Sequence, residues 1–359
     1  MKPFDARFTR IETFLDSPRT PDFTNLLRVL RREAPSRPTL FEFIVSGRAV
    51  RELLTAHLTY DEGDPLVREK RLIDAYRAAG YDFACVRGRS FGFRSDRHKD
   101  KDKSSLSLND GHVITDRASF EAYTWAEPED ADYTWLDALG AYLPDGMKLL
   151  VPGPDGVFET VLSLVGHDNL CYLLYDDPGL VREIFDAVGS RYLRYYERCV
   201  THSAVGAMMA DDDWGFKTQT FLSADDMRKY VIPWHRRIAA AVHRAGKPVT
   251  LHSCGNIEGI IGDVIDDIGH DGWHSFEDAI LPVEDAYDKY GERIAILGGI
   301  DIDFLCRSDP EEVYRRSCAM LERSRARGGY ALGSGNSITD YVPDESYLAM
   351  LAAAVFNEW

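Results

Sequence analysis

The chain has 359 residues, of which 45% are hydrophobic and 28% are charged, so it carries enough apolar material for a large folded core. Its formal net charge of −17 argues against a nucleic-acid partner, because phosphate backbones attract basic surfaces. No apolar run is long enough to span a membrane, and the N-terminus lacks the apolar segment of an export signal, so we expect a cytoplasmic protein.

Short β-rich segments alternate with amphipathic helical segments along the chain. The predicted strands are 39–45, 81–86, 147–151, 206–210, 248–252, 272–275, 294–297 and 329–332. Predicted helices are 66–79, 178–198, 224–245, 257–268, 282–290 and 310–327, and Ser223 and Asp309 are expected to cap two of them. This alternation predicts one (β/α)8 TIM-barrel domain over 1–359, with residues 1–37 as an N-terminal helical extension. A doubly wound open sheet is the alternative, which the strand count disfavours.

Polar residues follow the predicted strands all round the barrel, where TIM barrels place their active sites. We expect the site to draw on Glu42, Arg87, Glu159, Asp211, Asp212, Asp213, His252, Cys254, Glu277, Asp301 and the segment 334–337. The charged segments 94–102 and 127–132 are expected to be solvated loops without a chemical role.

The strongest local signal is the pair His252 and Cys254 at the end of a predicted strand. An imidazole and a thiolate two residues apart can point into the same space, and nitrogen and sulfur are ligands that zinc prefers. The alternative is a histidine and a cysteine that merely pack. Glu277 follows the next predicted strand and can supply a third ligand that substrate displaces, or it can cap the following helix.

Three successive acids, Asp211, Asp212 and Asp213, end the preceding strand. At least one of them is expected to orient a ligand histidine or to donate a proton from a carboxyl group with a raised pKa. An acidic solvent loop is the alternative. His235 lies in the middle of a predicted helix, so we expect it to pack or to face solvent, and not to bind metal.

With these motifs the chain resembles the uroporphyrinogen decarboxylase-like superfamily and, within it, the corrinoid-dependent methyltransferases. The resemblance covers about residues 145–355 and rests on the segments 153–154, 212–215, 251–255, 298–301 and 333–336. The Arg-Gln-Ala-Gly-Arg motif of true uroporphyrinogen decarboxylases is absent, and decarboxylation in that family uses no metal. The His-x-Cys motif is similar to the zinc motif of the methyltransferases, so the resemblance implies zinc held by His252 and Cys254.

The methyltransferase motif continues with a downstream cysteine, and this sequence has Asn336 in that region. A zinc with one thiolate ligand, and with Glu277 as the replacement ligand, would be more Lewis-acidic. Such an ion suits the removal of a methyl group from a small methyl ether, and we expect that ether to be aromatic. The resemblance implies that a Co(I) corrinoid on a partner protein accepts this methyl group.

In this interpretation each strand-end residue has a role. Asp212, Glu277 and Asp301 are expected to be catalytic. Glu42, Arg87, Glu159, Asp213 and Asn336 are expected to bind substrate. Two other functions stay open: methyl transfer from a methyl-corrinoid to a thiol such as coenzyme M, and a decarboxylase-like or non-catalytic barrel that binds a tetrapyrrole or zinc.

Overall fold

The structure is a computed structural model that describes residues 1–87, 91–95, 109 and 112–359. Of the predicted loop 94–102, residues 94 and 95 are described, and residues 96–102 lie outside the described residues. The described strands are β1 Phe83–Cys85, β2 Lys148–Pro152, β3 Val205–Asp211, β4 Val249–His252, β5 Gly272–His274, β6 Ala295–Leu297 and β7 Tyr330–Ala331. They form one parallel sheet in the order β1 to β7.

Helices connect these strands and flank the sheet. The α-helices are α1 Ile11–Asp16, α2 Thr24–Leu30, α3 Val67–Ala78, α4 Arg117–Ala122, α5 Thr134–Gly140, α6 Val157–Val165, α7 His167–Asp176, α8 Pro178–Cys199, α9 Ala224–Asp226, α10 Ile232–Arg244, α11 Val283–Tyr290, α12 Ile302–Arg307, α13 Pro310–Ser324 and α14 Asp344–Val355. Shorter 3-10 turns are Ala6–Thr9, Pro128–Asp130 and Glu258–Ile260, and π-helical turns are Ala49–Leu54, Met227–Val231 and Asp263–Ile268. No helix of the described ranges is long and apolar enough to cross a membrane.

Both expected helix caps are present. The Ser223 hydroxyl accepts a hydrogen bond from the Asp226 amide at 3.1 Å and so begins α9. Asp309 accepts one from the Glu312 amide at 2.8 Å and begins α13, which has Pro310 as its first residue. Local capping chemistry therefore sets where these helices start.

The segment 39–45 occupies the eighth position of the barrel, and it is not a regular strand. Leu40 forms a parallel bridge with Leu332 just after β7, and Val45 forms another with Ile338. The prediction of a TIM-type barrel is confirmed, with seven regular strands among the described residues and this bridged segment in the place of the eighth.

Side-chain contacts explain why 39–45 departs from strand geometry. The Tyr76 hydroxyl of α3 lies within hydrogen-bonding distance of the carbonyl oxygens of Glu42 and Phe43, at 3.2 and 3.1 Å. These carbonyls therefore bond to a side chain and not to a neighbouring strand. On the β1 side the ring of Phe41 packs against that of Phe83, with centroids 5.6 Å apart.

The N-terminal region is helical, as predicted, and α2 packs near β7 and the N-terminal ends of the strands. Leu26 and Leu30 of α2 are buried. Gly206, near the start of β3, leaves room for Phe23, since a Cβ there would lie 2.5 Å from the Phe23 ring. The opposite, C-terminal ends of the strands carry the polar residues singled out in the sequence.

Candidate metal centre

The side chains of Asp213, His252 and Cys254 meet at the C-terminal ends of β3 and β4. These strands are parallel neighbours, and Asp211 pairs in register with His252, so the loops that follow both strands leave the sheet at the same edge. The Nε2 atom of His252 lies 3.6 Å from the Sγ atom of Cys254 and 3.6 Å from the Oδ1 atom of Asp213. The three potential ligand atoms all lie within 4.8 Å of one another.

Backbone geometry holds the two loops together at this point. The amide of Cys254 donates a hydrogen bond of 2.7 Å to Oδ1 of Asp213. Gly255 follows with a φ angle of 83°, and a Cβ there would lie 2.0 Å from the carbonyl oxygen of Gly215. Only glycine fits this close approach in this conformation, so Gly255 lets the β4 loop turn against the β3 loop.

This trio fits zinc by its chemistry and by its spacing. Zinc–ligand bonds of about 2.0–2.3 Å in a tetrahedral site place ligand atoms about 3.3–3.8 Å apart. Both distances from His252 Nε2 lie in that range. Burial, followed by the charge of Asp213, raises the pKa of the Cys254 thiol well above its usual value. A bound cation would reverse this effect, because positive charge favours the thiolate.

Asn336 lies directly against the thiol. Its Nδ2 atom donates to the Sγ atom of Cys254 at 3.1 Å, and the Ser275 hydroxyl lies 3.7 Å from the same sulfur. Asn336 lies in the region where the methyltransferase motif continues with a cysteine, and its amide contacts the sulfur of Cys254. As a donor it stabilises negative charge on the sulfur without adding a second thiolate.

Glu277 is placed differently from the sequence expectation. Its carboxylate lies 3.7 Å from Nζ of Lys217, and its side chain is 36% exposed. The chain turns here, because the Glu277 carbonyl accepts hydrogen bonds from the amides of Ile280 and Leu281 at 2.9 Å each. Among the described residues, the group that could hold a metal ion consists of Asp213, His252 and Cys254, so Asp213 is a candidate for the third ligand and ligation by Glu277 stays a prediction.

Asp212, the expected proton donor, is fully buried and bonded on all sides. Its carboxylate accepts hydrogen bonds from the amides of Phe158 and Glu159, at 3.0 and 2.9 Å, and lies 2.8 Å from Nε2 of His235. These contacts fix the start of α6 against the β3 loop, which is a positioning role. His235 packs in the interior, as expected.

Glu159 stands in the first turn of α6, beside the trio. Burial and, after it, the charges of Asp213, Asp212 and Asp211 raise the pKa of Glu159 to about 10. The Asp213 backbone amide hydrogen-bonds to this carboxyl group. Glu159 therefore borders the candidate metal centre, where burial and the neighbouring carboxylates disfavour its charged form.

Arg87 joins the β1 end of the barrel to the same edge. It forms an ion pair of 2.5 Å with Asp211 and donates to the Pro154 carbonyl at 2.7 Å. Burial raises the pKa of Asp211, even beside this guanidinium. Arg87 also lies over the ring of Phe43 at 5.7 Å, and that ring packs 4.5 Å from the ring of His252.

A cavity of about 400 Å³ opens beside Phe43 and Arg87. Its wall is largely apolar, with Val45, Leu72 and Tyr76 among its residues, and further guanidinium groups line it. Those arginines are Arg51, Arg68 and Arg71. Its volume is within the range of small-molecule sites in proteins.

Asp301, expected to be catalytic, caps a helix. Its carboxylate accepts from the Phe304 amide at 2.9 Å, which begins α12, and from the Asp278 amide at 2.8 Å. Both oxygens are therefore bonded to backbone groups. Asp301 therefore holds the start of α12 and the amide of Asp278 in place.

Two further buried residues lie near the candidate metal centre. The sequence analysis gave His274 no role, and it expected Glu42 to bind substrate. His274 is fully buried, and its Nδ1 atom lies 2.7 Å from Nδ1 of His252. Burial lowers the pKa of His274 well below its usual value. Glu42 is also fully buried, with its pKa raised by burial to about 8, and it accepts from Ser334. The sequence signal that could have identified His274 is its position at the end of the predicted strand that follows the strand of His252.

Comparisons with known proteins point to one family. Residues 153–355 match the family model for uroporphyrinogen decarboxylase (URO-D). The chain is 26% identical over 218 residues to a methylated-thiol–coenzyme M methyltransferase of Methanosarcina mazei, with 56% of each chain covered. It is 24% identical over 188 residues to a uroporphyrinogen decarboxylase of Geobacter sulfurreducens, with 51% of each covered. The chain thus spans about half the length of these curated relatives.

A solved structure extends the likeness of the fold over nearly the whole chain. A methyltransferase from Methanosarcina mazei superposes with a TM-score of 0.69 and covers 92% of this chain and 97% of that one. Sequence identity in this superposition is 17%, so the match establishes a shared fold.

Proposed function

This chain belongs to the uroporphyrinogen decarboxylase (URO-D) family, and we propose that it is a zinc-dependent methyltransferase within it. In this proposal the methyl group moves between a corrinoid on a partner protein and a small molecule bound beside the zinc. The observation that carries the proposal is the trio of Asp213, His252 and Cys254, whose nitrogen, sulfur and oxygen atoms suit zinc with one position left open.

The small molecule is proposed to be a thiol that accepts the methyl group. Support comes from the curated relative whose name is methylated-thiol–coenzyme M methyltransferase. The methyl ether expected from the sequence is the second candidate. Asn336 favours that candidate, because its amide stands beside Cys254 where a second thiolate was expected and leaves the site one sulfur ligand.

Each group of the chain has a defined task in the proposed reaction. Asp213, His252 and Cys254 would hold the zinc, and the bound ion would supply Lewis acidity that favours the deprotonated form of a thiol. Asn336 stabilises the sulfur of Cys254 by its N–H donor. The cavity beside Phe43 and Arg87 takes the body of the small molecule, since it opens next to the ring that packs on His252.

The experiment uses full-length protein loaded with one equivalent of zinc, and free cobalamin in place of the corrinoid protein. One arm mixes methylcobalamin with coenzyme M and simple alkyl thiols. The other mixes cob(I)alamin with methoxylated aromatic compounds, and both follow the cobalt absorption spectrum. Thiol-dependent loss of methylcobalamin is the expected result.

Formation of methylcobalamin from ethers would instead establish the second candidate. Cys254→Ser should abolish either reaction, and Cys171→Ser, at an exposed cysteine on α7, is the matched control that should leave it intact. If the zinc-loaded protein moves no methyl group in either arm, the methyltransferase proposal fails.

A further inference from the structure

A chain of buried hydrogen bonds runs from the candidate metal centre into the barrel wall. It passes from Nδ1 of His252 to Nδ1 of His274 at 2.7 Å, and from Nε2 of His274 to the carbonyl oxygen of Ser334 at 3.4 Å. Ser334 in turn donates to the Glu42 carboxyl group from its amide at 3.2 Å and from its hydroxyl at 2.7 Å. The chain links β4, β5, the β7 loop and the segment 39–45.

The partner of each ring nitrogen, including the Ser334 carbonyl oxygen, indicates where the hydrogen atoms of this chain lie. A carbonyl oxygen only accepts, so Nε2 of His274 carries a hydrogen. Zinc would bind His252 through the lone pair of Nε2, the nitrogen that faces Asp213 and Cys254, and this leaves the ring hydrogen on Nδ1. Nδ1 of His252 is then the donor across the 2.7 Å contact, and Nδ1 of His274 is the acceptor.

We propose that His274 is a positioning residue that fixes His252 in the tautomer able to bind zinc. The inference rests on the zinc site of the proposed function and adds to it a specific donor and acceptor. A metal-bound histidine is typically oriented by a hydrogen bond from its other nitrogen, and loss of such a partner weakens metal binding by about 10–100-fold. The acceptor here is a second imidazole.

The surroundings of His274 hold its ring in place. The ring packs against those of Phe41 and Phe43, with centroids 5.4 and 6.4 Å away. Gly298 supplies the space on the other side, since a Cβ there would lie 2.3 Å from the Ser334 carbonyl oxygen and 3.0 Å from Cδ2 of His274. These contacts accompany a ring orientation with Nδ1 towards His252 and Nε2 towards the Ser334 carbonyl oxygen.

The first test compares zinc affinities, by chelator competition, of three variants of the full-length protein. His274→Phe keeps a ring and removes the acceptor, and we expect zinc affinity to fall by about 10–100-fold. His274→Asn offers an amide oxygen to Nδ1–H of His252 and should restore affinity to near wild type. His270→Phe is the control, because His270 is also buried and precedes the same strand β5 at its opposite end.

Wild-type affinity in folded His274→Phe would overturn the inference, as would equal weakening in the Phe and Asn variants. The second test needs no variant to fold and no zinc. Nitrogen-15 NMR of histidine-labelled, metal-free protein should show a hydrogen on Nδ1 of His252 and none on Nε2. The reverse assignment would overturn the inference even if the protein binds zinc, whereas absence of zinc binding with the expected tautomer would count against the proposed function alone.

Discussion

The loops after β3 and β4 differ from the loops after β5 and β6 in what their carboxylates bind. After β3, Asp213 turns an oxygen towards the side chain of His252 at 3.6 Å. After β6, Asp301 gives both oxygens to backbone amides, at 2.9 and 2.8 Å. Both acids stand at strand ends of the same barrel. Backbone amides bond to both oxygens of Asp301, whereas one amide, that of Cys254, bonds to Asp213, at Oδ1.

The same contrast separates two consecutive residues. Asp212 accepts hydrogen bonds from two amides of α6, one at each oxygen, and contacts His235 through Oδ2. Asp213 accepts one amide hydrogen bond, from Cys254, and still faces the trio. A carboxylate at a strand end is therefore a candidate ligand when its loop brings an oxygen next to other potential ligand atoms, even where one amide already bonds to that oxygen.

Removal of a proposed ligand on the β4 loop is expected to have the largest effect on zinc binding. We expect His252→Ala and Cys254→Ala each to lose most of the bound zinc, because each removes one of three protein ligands from an open site. Zinc content after dialysis measures the effect, and Cys171→Ala should retain the wild-type amount. Retention of zinc in both ligand variants would contradict the assignment.

Asp213 and Glu277 form a matched pair of carboxylates. Asp213→Asn should weaken zinc binding by about 10–100-fold, because it removes a charged oxygen ligand. Glu277→Gln should leave the affinity unchanged, since Glu277 pairs with Lys217 outside the trio. Competition with a chelator measures both. The opposite ranking would restore Glu277 as the third ligand.

Glu42 offers a pH-dependent test on the buried side of the site. Its folded-state pKa is raised from 4.5 to about 8, so the folded protein keeps this proton after the unfolded chain has lost it. Stability from this group is therefore complete below pH 4.5 and falls as the pH rises to 8, by about 1.4 kcal/mol per pH unit. The free energy of unfolding of Glu42→Gln, relative to wild type, should rise across this window. A difference that does not change with pH would contradict the buried neutral carboxyl.

Substitution of Asp301 is expected to have the smallest effect, and it tests whether this residue only stabilises the fold. Asp301→Ala removes the cap of α12 and should lower the free energy of unfolding by about 1–2 kcal/mol. Zinc affinity should stay at the wild-type value. Urea denaturation and chelator competition on the same sample separate these outcomes, and loss of zinc without loss of stability would move Asp301 into the site.

Periodicity and caps were enough to predict the barrel, because alternating helical and strand patterns are properties of the local sequence. The segment 39–45 has a strand-like composition as well. Its regularity is lost through contacts with Tyr76, which is distant in sequence. A local pattern contains no signal for such a contact, so the eighth strand could not be resolved from it.

The candidate site shows the same division. His252 and Cys254 are two residues apart, so their convergence could be predicted from spacing. The choice of Asp213 over Glu277 depends on how two loops turn, and this is set by tertiary contacts such as that of Gly255 with Gly215. The proposed role of His274 could be recognised only from the strand register, which pairs it directly with His252.

The central claim is a zinc held by one sulfur and by nitrogen and oxygen atoms at the edge of β3 and β4. X-ray absorption at the zinc edge counts these ligands directly. We predict one sulfur near 2.3 Å and otherwise nitrogen or oxygen near 2.0–2.1 Å, typical distances for zinc. Asn336→Cys, which places a second thiol beside Cys254, should raise the sulfur count to two and tighten binding. A wild-type site with no sulfur, or with two, would contradict the claim.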